Sequence, residues 1–211
     1  MPFLEVQSIY FAAASPGVTK SKEDRIRRMK LQHQAEGYLE LGLPQQALQV
    51  LGRLGAAASA DCANGVGGAN GAGGANSADV RTLYLQGEAL RSLERYGDAI
   101  VPLRKVAELE PENVQVLLAL GWCHKRTGRI DLAIEALETA LAADNDEPLI
   151  RYNLACYHSV VGDKRNALAY LEQALVLDPN YRLLIDHEPD FDPLRGDPDF
   201  QAICDGSQTR G

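Results

Sequence analysis

Between residues 80 and 181 the chain repeats itself every 34 residues, three times without a gap. Laying 80–113, 114–147 and 148–181 over one another brings Gly87, Gly121 and Ala155 to one place and Ala99, Ala133 and Ala167 to a second. Leu103, Leu137 and Leu171 share a third. Pro111 and Pro179 close the first and last of these units, and Asn145 stands at that place in the middle one. A fixed period of this length restricts the fold to a repeat architecture. Each unit is then one supersecondary element that hides its apolar face only by stacking on its neighbours.

Inside each unit the apolar spacing is that of two helices. In the first, Leu83, Gly87 and Leu90 line one face, and Ala99, Ile100, Leu103, Val106 and Ala107 form the stripe of the next. In the second, Leu117, Leu120, Gly121 and His124 oppose Ala133, Ile134, Leu137, Ala140 and Leu141. In the third, Leu154, Ala155 and His158 oppose Ala167, Leu168, Leu171, Ala174 and Leu175. Small residues at the shared places let helix axes approach where a Leu would push them apart. Pro102 conflicts with this pattern unless its helix starts near Asp98, which then serves as the cap.

These residues resemble the tetratricopeptide repeat, whose pattern wants small residues in the eighth and twentieth places, a large apolar one four later, and Pro near the end. The chain departs from it at the fourth place, where Leu83, Leu117 and Arg151 replace Trp, and later in the first helix, where His124 and His158 replace the usual Tyr. The resemblance implies an all-α helical-hairpin solenoid, two antiparallel helices per unit wound into a right-handed superhelix with a concave face. Residues 21–54 read as a more degenerate unit carrying Ala35, Tyr38, Gly42, Pro44, Ala47 and Leu51 at the expected places. Ser21 and Asp24 make a weak capping box at its start. In register from Arg28, the next unit is due at Cys62 but begins at Val80, 18 residues late. Residues 55–79 supply the excess, rich in Gly, Ala, Asn and Ser, and are expected as a flexible insertion with little to bury. No Gly-Lys-Ser/Thr follows its glycines, so a phosphate-cradling loop is excluded.

Residues 182–205 resemble the terminal unit of many bacterial arrays of this repeat and are expected to cap the stack. Leu183, Leu184, Ile185, Phe191, Leu194, Phe200 and Ile203 are the candidate covering residues. Residues 206–211 form a tail, and residues 1–20 an arm carrying Phe3, Leu4, Ile9, Tyr10 and Phe11.

A net charge of −8 argues against nucleic acid and anionic membrane as partners. No apolar run reaches membrane-span length, and Glu5 interrupts what would be the apolar stretch of a leader. Four cysteines without CxxC spacing are expected as free thiols in a reducing cytoplasm. Cys123, His124, Cys156 and His158 hold two zinc-ligand types, but they lie mid-helix at places the repeat gives to core residues, and are read as core with hydrogen-bonded histidines. Asp186, Glu188, Asp190 and Asp192 alternate like a calcium loop without its central Gly and are read as turns and caps. No metal or cofactor is expected. An enzymatic role requires a reactive thiol at Cys123 or Cys156.

By register, the resemblance assigns the concave face to Arg81, Tyr84, Glu88 and Arg91, then Leu118, Trp122, Lys125 and Arg126, then Tyr152, Asn153 and Cys156. Trp, Tyr and Arg carry binding energy at interfaces. The expected function is therefore a non-enzymatic module binding a protein or peptide in a groove centred on Trp122. Basic flanks there favour acidic or aromatic segments. A clamp for a C-terminal carboxylate needs Lys and Asn where Gln32 and Glu36 stand, so only Asn153 fits that mode. The alternative is a structural subunit that self-associates or docks through the arm and first repeat.

Overall fold

Among the described residues, four helical hairpins follow one another. In the computed structural model of the protein, residues 16–63 and 77–206 are described, with side chains over 22–54 and 80–206. The hairpins are α1 (Pro16–Glu40) with α2 (Pro44–Ala63), α3 (Ser77–Ser92) with α4 (Tyr96–Leu109), α5 (Val114–Arg126) with α6 (Ile130–Ala143), and α7 (Pro148–Val160) with α8 (Lys164–Leu177). No strand occurs among the described residues. Successive hairpins stack through α2–α3, α4–α5 and α6–α7, while α1–α3 and α3–α5 also touch, so the first helices of the hairpins share one layer. The architecture is an all-α helical-hairpin solenoid.

The close approach expected from the small residues is present. A Cβ built on Gly87 falls 2.6 Å from the Leu103 side chain, and one on Gly121 falls 3.2 Å from Leu137. Ala99, Leu103, Ala133, Leu137, Ala155, Ala167 and Leu171 are all fully buried. The turn inside each hairpin needs one left-handed residue, at Gly42 (φ 68°), Glu94 (φ 57°), Gly128 (φ 76°) and Gly162 (φ 78°). Glu94, Gly128 and Gly162 are one period apart, and Gly42 precedes Glu94 by a period plus 18 residues. Helix starts are fixed by local oxygens: Asn113 accepts from the Val116 amide, Glu147 from Leu149 and Asp163 from Asn166.

Several boundaries differ from expectation. The first helix starts at Pro16, not Ser21, because proline's fixed φ suits a first helical residue. The second runs to Ala63 and the third begins at Ser77, so 55–63 and 77–79 are helical, and 64–76 lie outside the described residues. Residues 1–15 of the arm and 207–211 of the tail lie outside them too. The cap of α4 is Arg95; Asp98 is in the first turn, ion-paired to Arg95 at 2.7 Å. Pro102 therefore sits buried inside the helix and cannot donate to the Asp98 carbonyl. Arg151, in the Trp place, is buried and donates to the Asn145 backbone carbonyl, to Asn145 Oδ1 at 2.7 Å and to Gln173 Oε1 at 3.1 Å. Thus the residue replacing Trp holds the residue replacing Pro.

After α8 the chain makes a 3-10 turn (Pro179–Tyr181), α9 (Arg182–Ile185), a second 3-10 turn (Pro189–Leu194) and α10 (Pro198–Cys204). Ile185, Phe191, Leu194 and Phe200 are buried and join the last core cluster. Leu183 and Leu184 do not cover it; they face outward, 75% and 51% exposed.

Two substitutions check this packing. Gly87→Ala lowers stability by about 1–3 kcal/mol in urea unfolding, and Gly121→Ala, with 0.6 Å more room, costs less. Glu94→Gly removes the left-handed strain and raises stability by roughly 0.5–1 kcal/mol.

Candidate functional site

The layer of first helices, which the repeat resemblance assigns to the concave face, presents repeat-equivalent places in order. Tyr84, Leu118 and Tyr152 are one set; Glu88, Trp122 and Cys156 a second; Arg91, Lys125 and Ser159 a third. Their environments diverge along the stack. Tyr84 and Leu118 are half-buried, while Trp122 is 38% exposed. Tyr152 and Cys156 are buried, because the turn Pro189–Leu194 lies across α7. Phe191 meets the Tyr152 ring edge-on at 5.7 Å, and Tyr181 lies 4.8 Å from it. Of the eleven assigned residues, the chain's own cap thus covers Tyr152 and Cys156, and Asn153 is half-buried.

Each basic residue assigned to this face has an intramolecular partner. Arg81 forks onto Glu36, with Nε to Oε1 at 2.9 Å. Arg91 donates to Glu88 at 3.1 and 2.6 Å. Lys125 pairs with Asp190 of the cap and stands over the rings of Trp122 (5.5 Å) and Tyr157 (5.4 Å). Arg126 stacks on Tyr96 at 5.1 Å and has no carboxylate partner among the described residues. Gln32 is buried and bonds Thr82 at 2.8 Å, so both places a carboxylate clamp would use are engaged within the chain. A recess of about 230 Å³ lies at the edge of this layer, lined by Arg81, Tyr84, Glu110 and Asn113 among others.

Among the described residues, the ligating atoms that cluster are Cys156 Sγ and carboxylate oxygens of Glu188 and Asp190, within 4.8 Å of one another. Burial, then the two carboxylates, push the Cys156 thiol far up, so it stays protonated. The Lys125 ammonium already supplies positive charge to Asp190. A protonated thiol beside a resident ammonium does not fit a metal cation. Burial likewise pushes Cys123 up to about 11, the opposite of a reactive thiol. His158 is buried, as expected of a core residue, whereas His124 is only half-buried; neither His158 ring nitrogen nor His124 Nδ1 has the expected hydrogen-bond partner among the described residues. The His124 imidazole is held neutral by burial, then by Arg129. His158 stacks on Tyr170 at 5.5 Å, and its Nδ1 lies 3.3 Å from Asp163, close enough for an ion pair but not aligned for a hydrogen bond.

The sequence did not mark Glu188, Asp190 and Phe191 as inner-face residues. Their signal was an acidic, proline-bounded segment around one Phe, which turn chemistry also explains.

Residues 90–155 match the family profile for tetratricopeptide repeats, and 150–181 match a second profile of that description. The mouse protein O-mannosyl-transferase TMTC1 is 28% identical over 120 residues, 55% of this chain and 12% of that protein. Anaphase-promoting complex subunit 3 of Dictyostelium discoideum is 37% identical over 51 residues, 24% of this chain and 5% of that protein. The chain therefore spans only a small part of either. Among solved structures, MamA superposes with a TM-score of 0.61 at 18% identity, covering 78% of this chain and 84% of that one. MamA of Desulfovibrio magneticus RS-1 gives 0.59 at 19% identity, covering 87% and 97%. YrrB, described as a repeat protein of this kind with an unusual peptide-binding site, gives 0.57 at 17% identity, covering 72% and 70%.

Alkylation reads the cap directly. Native protein treated with iodoacetamide at mildly alkaline pH and mapped by mass spectrometry should leave Cys123 and Cys156 unmodified. Phe191→Ala should cost about 3–5 kcal/mol of stability and open Cys156 to the reagent before Cys123.

Proposed function

The chain is a tetratricopeptide-repeat protein, and on that premise we propose that it is a non-enzymatic interaction module whose inner layer holds a peptide or a protein surface. The observation that carries this reading is Trp122. The only Trp of the chain stands 38% exposed at an inner-layer place whose equivalent, Cys156, the chain covers for itself. Tyr84, Leu118 and Lys125 flank it, giving an apolar floor with polar edges, the composition of an interface anchor. The described peptide-binding site of YrrB, on the same fold, supports the same class of use. Acidic or aromatic segments suit the site: aromatic because the floor is, acidic because Arg126 lacks a carboxylate among the described residues and Arg91 keeps N–H donors beyond those given to Glu88.

The protein works in a reducing compartment such as the cytoplasm, a reading supported by the free thiols of Cys123, Cys156 and Cys204. No helix among the described residues is long and apolar enough to cross a membrane.

A protein recovered from the native host by the wild-type chain should be lost by the Trp122→Ala, Arg126→Ala double variant, with affinity down roughly thirtyfold or more. An unchanged binding constant in a variant with wild-type circular dichroism removes the groove.

A second reading, self-association through the first repeat, is favoured by Ile26 and Met29 on α1. They are 43% and 49% exposed and line a recess of about 410 Å³ with Lys30 and His33. Light scattering tests it: the wild-type chain should be an oligomer that Ile26→Glu with Met29→Glu converts to monomer. A monomeric wild type dismisses it.

A further inference from the structure

The chain carries a specimen of what its inner layer accepts. The cap segment from Glu188 to Leu194 is not a helix lying alongside α8, as a further repeat would be. It is a 3-10 turn laid across the inner side of α7. Two adjacent residues touch the stack most directly, although Phe191 also packs on Phe200 of the cap, ring centroids 5.5 Å apart. The Asp190 carboxylate takes the ammonium of Lys125, which belongs to α5, and the next residue, Phe191, puts its ring against Tyr152 of α7. Phe191 is fully buried and both members of the Lys125–Asp190 pair are largely so, with side chains 17% and 11% exposed. The seat thus consists of a cation from one repeat and an apolar inner place from the next.

A 34-residue translation generates the same seat one repeat earlier. Lys125 becomes Arg91, Tyr152 becomes Leu118, and Cys156, which the segment covers, becomes Trp122. The cation is retained and its planar guanidinium is better suited to a carboxylate than an ammonium is. The apolar floor is retained, with Tyr84 and Trp122 providing the aromatic surface that Tyr152 provides at the covered seat. Among the described residues no segment of the chain lies over Trp122 in the way that the cap lies over Cys156. Arg91 gives two of its five N–H groups to Glu88, which leaves the edge of the fork available.

Resting on the groove reading, we infer that this open seat takes a segment of a partner protein carrying an Asp or Glu followed directly by an aromatic residue. The acid meets Arg91, and the aromatic ring meets Leu118 and Trp122. The segment lies along the path of the cap, one repeat towards the N-terminus. The chemistry is narrower than a basic groove would require: a lone acid lacks the apolar anchor, and a lone aromatic leaves Arg91 with Glu88 only.

The probe is a fluorescent peptide copying residues 188–194, Glu-Pro-Asp-Phe-Asp-Pro-Leu, added to the full chain and followed by anisotropy. Saturable binding is expected. It should weaken by about tenfold or more in Trp122→Ala and when the peptide's Phe becomes Ala, and by about threefold in Arg91→Ala and when the Asp before that Phe becomes Asn. The peptide series on the wild-type chain needs no folded variant. Absent binding, or binding indifferent to Arg91→Ala because the peptide merely displaces the cap, overturns the inference. A random heptapeptide display library panned on wild type and on Trp122→Ala separates this failure from that of the groove. Trp122-dependent peptides lacking the acid–aromatic pair leave the groove standing and sink the inference. No Trp122-dependent peptides at all sinks both.

Discussion

The contact of a small residue on one helix with a leucine on its partner is what the rest of the structure depends on. Gly87 against Leu103 and Gly121 against Leu137 are the same contact one period apart, and Ala155 and Leu171, buried in one core cluster, hold the equivalent places in the next unit. Where it forms, the two helices of a hairpin approach closely enough for the leucine to be fully buried. Hairpins that close in this way stack on one another through α2–α3, α4–α5 and α6–α7. The inner layer is thus a product of the small-residue contact, not an independent feature. Any enlargement there misplaces Trp122 without touching it.

A stack of this kind has an end problem, since its last hairpin exposes the face that the next would cover. This chain solves it with a segment that turns inward. Ile185, Phe191, Leu194 and Phe200 close the last core, while Asp190 reaches past it to Lys125 of α5. One consequence is chemical: Cys156 and Tyr152 are removed from solvent and the Cys156 thiol is pushed far up by burial. The other is geometric: the layer is closed at α7 and open at α5.

Most of the fold was legible in the sequence because period and small-residue places are local, repeated signals. The hairpins and the 18-residue offset of the first unit belong to that class. What the sequence concealed was long-range or compensatory. Arg151 and Asn145 read as two separate departures from the repeat, yet they are one hydrogen-bonded substitution. Asp98 looked like a cap because Pro102 seemed to demand a late start, but burial of the proline ring against the stack tolerates it inside the helix. Ala-rich residues 55–63 looked like insertion and are helix, consistent with high intrinsic propensity of Ala. The assigned inner-layer residues follow from register alone. Which of them the cap covers depends on a contact 65 residues away along the chain, between Lys125 and Asp190.

The pairing of the inner cations alters what the layer's charge means. Arg81, Arg91 and Lys125 read as an open basic strip, but each is matched by Glu36, Glu88 or Asp190. A partner's carboxylate at Arg91 therefore exchanges one ion pair for another or shares the fork. The net gain from charge is small, as for most half-exposed pairs. Affinity then has to come from burying the Trp122 ring, at about 25 cal/mol per Å² of apolar area removed from water. The charges set which acidic neighbour is tolerated and in what register. The same division holds in the cap, where Phe191 is fully buried and supplies the apolar burial while Lys125 and Asp190 fix the position. An inner layer built this way selects by the aromatic residue first and by the acid beside it second.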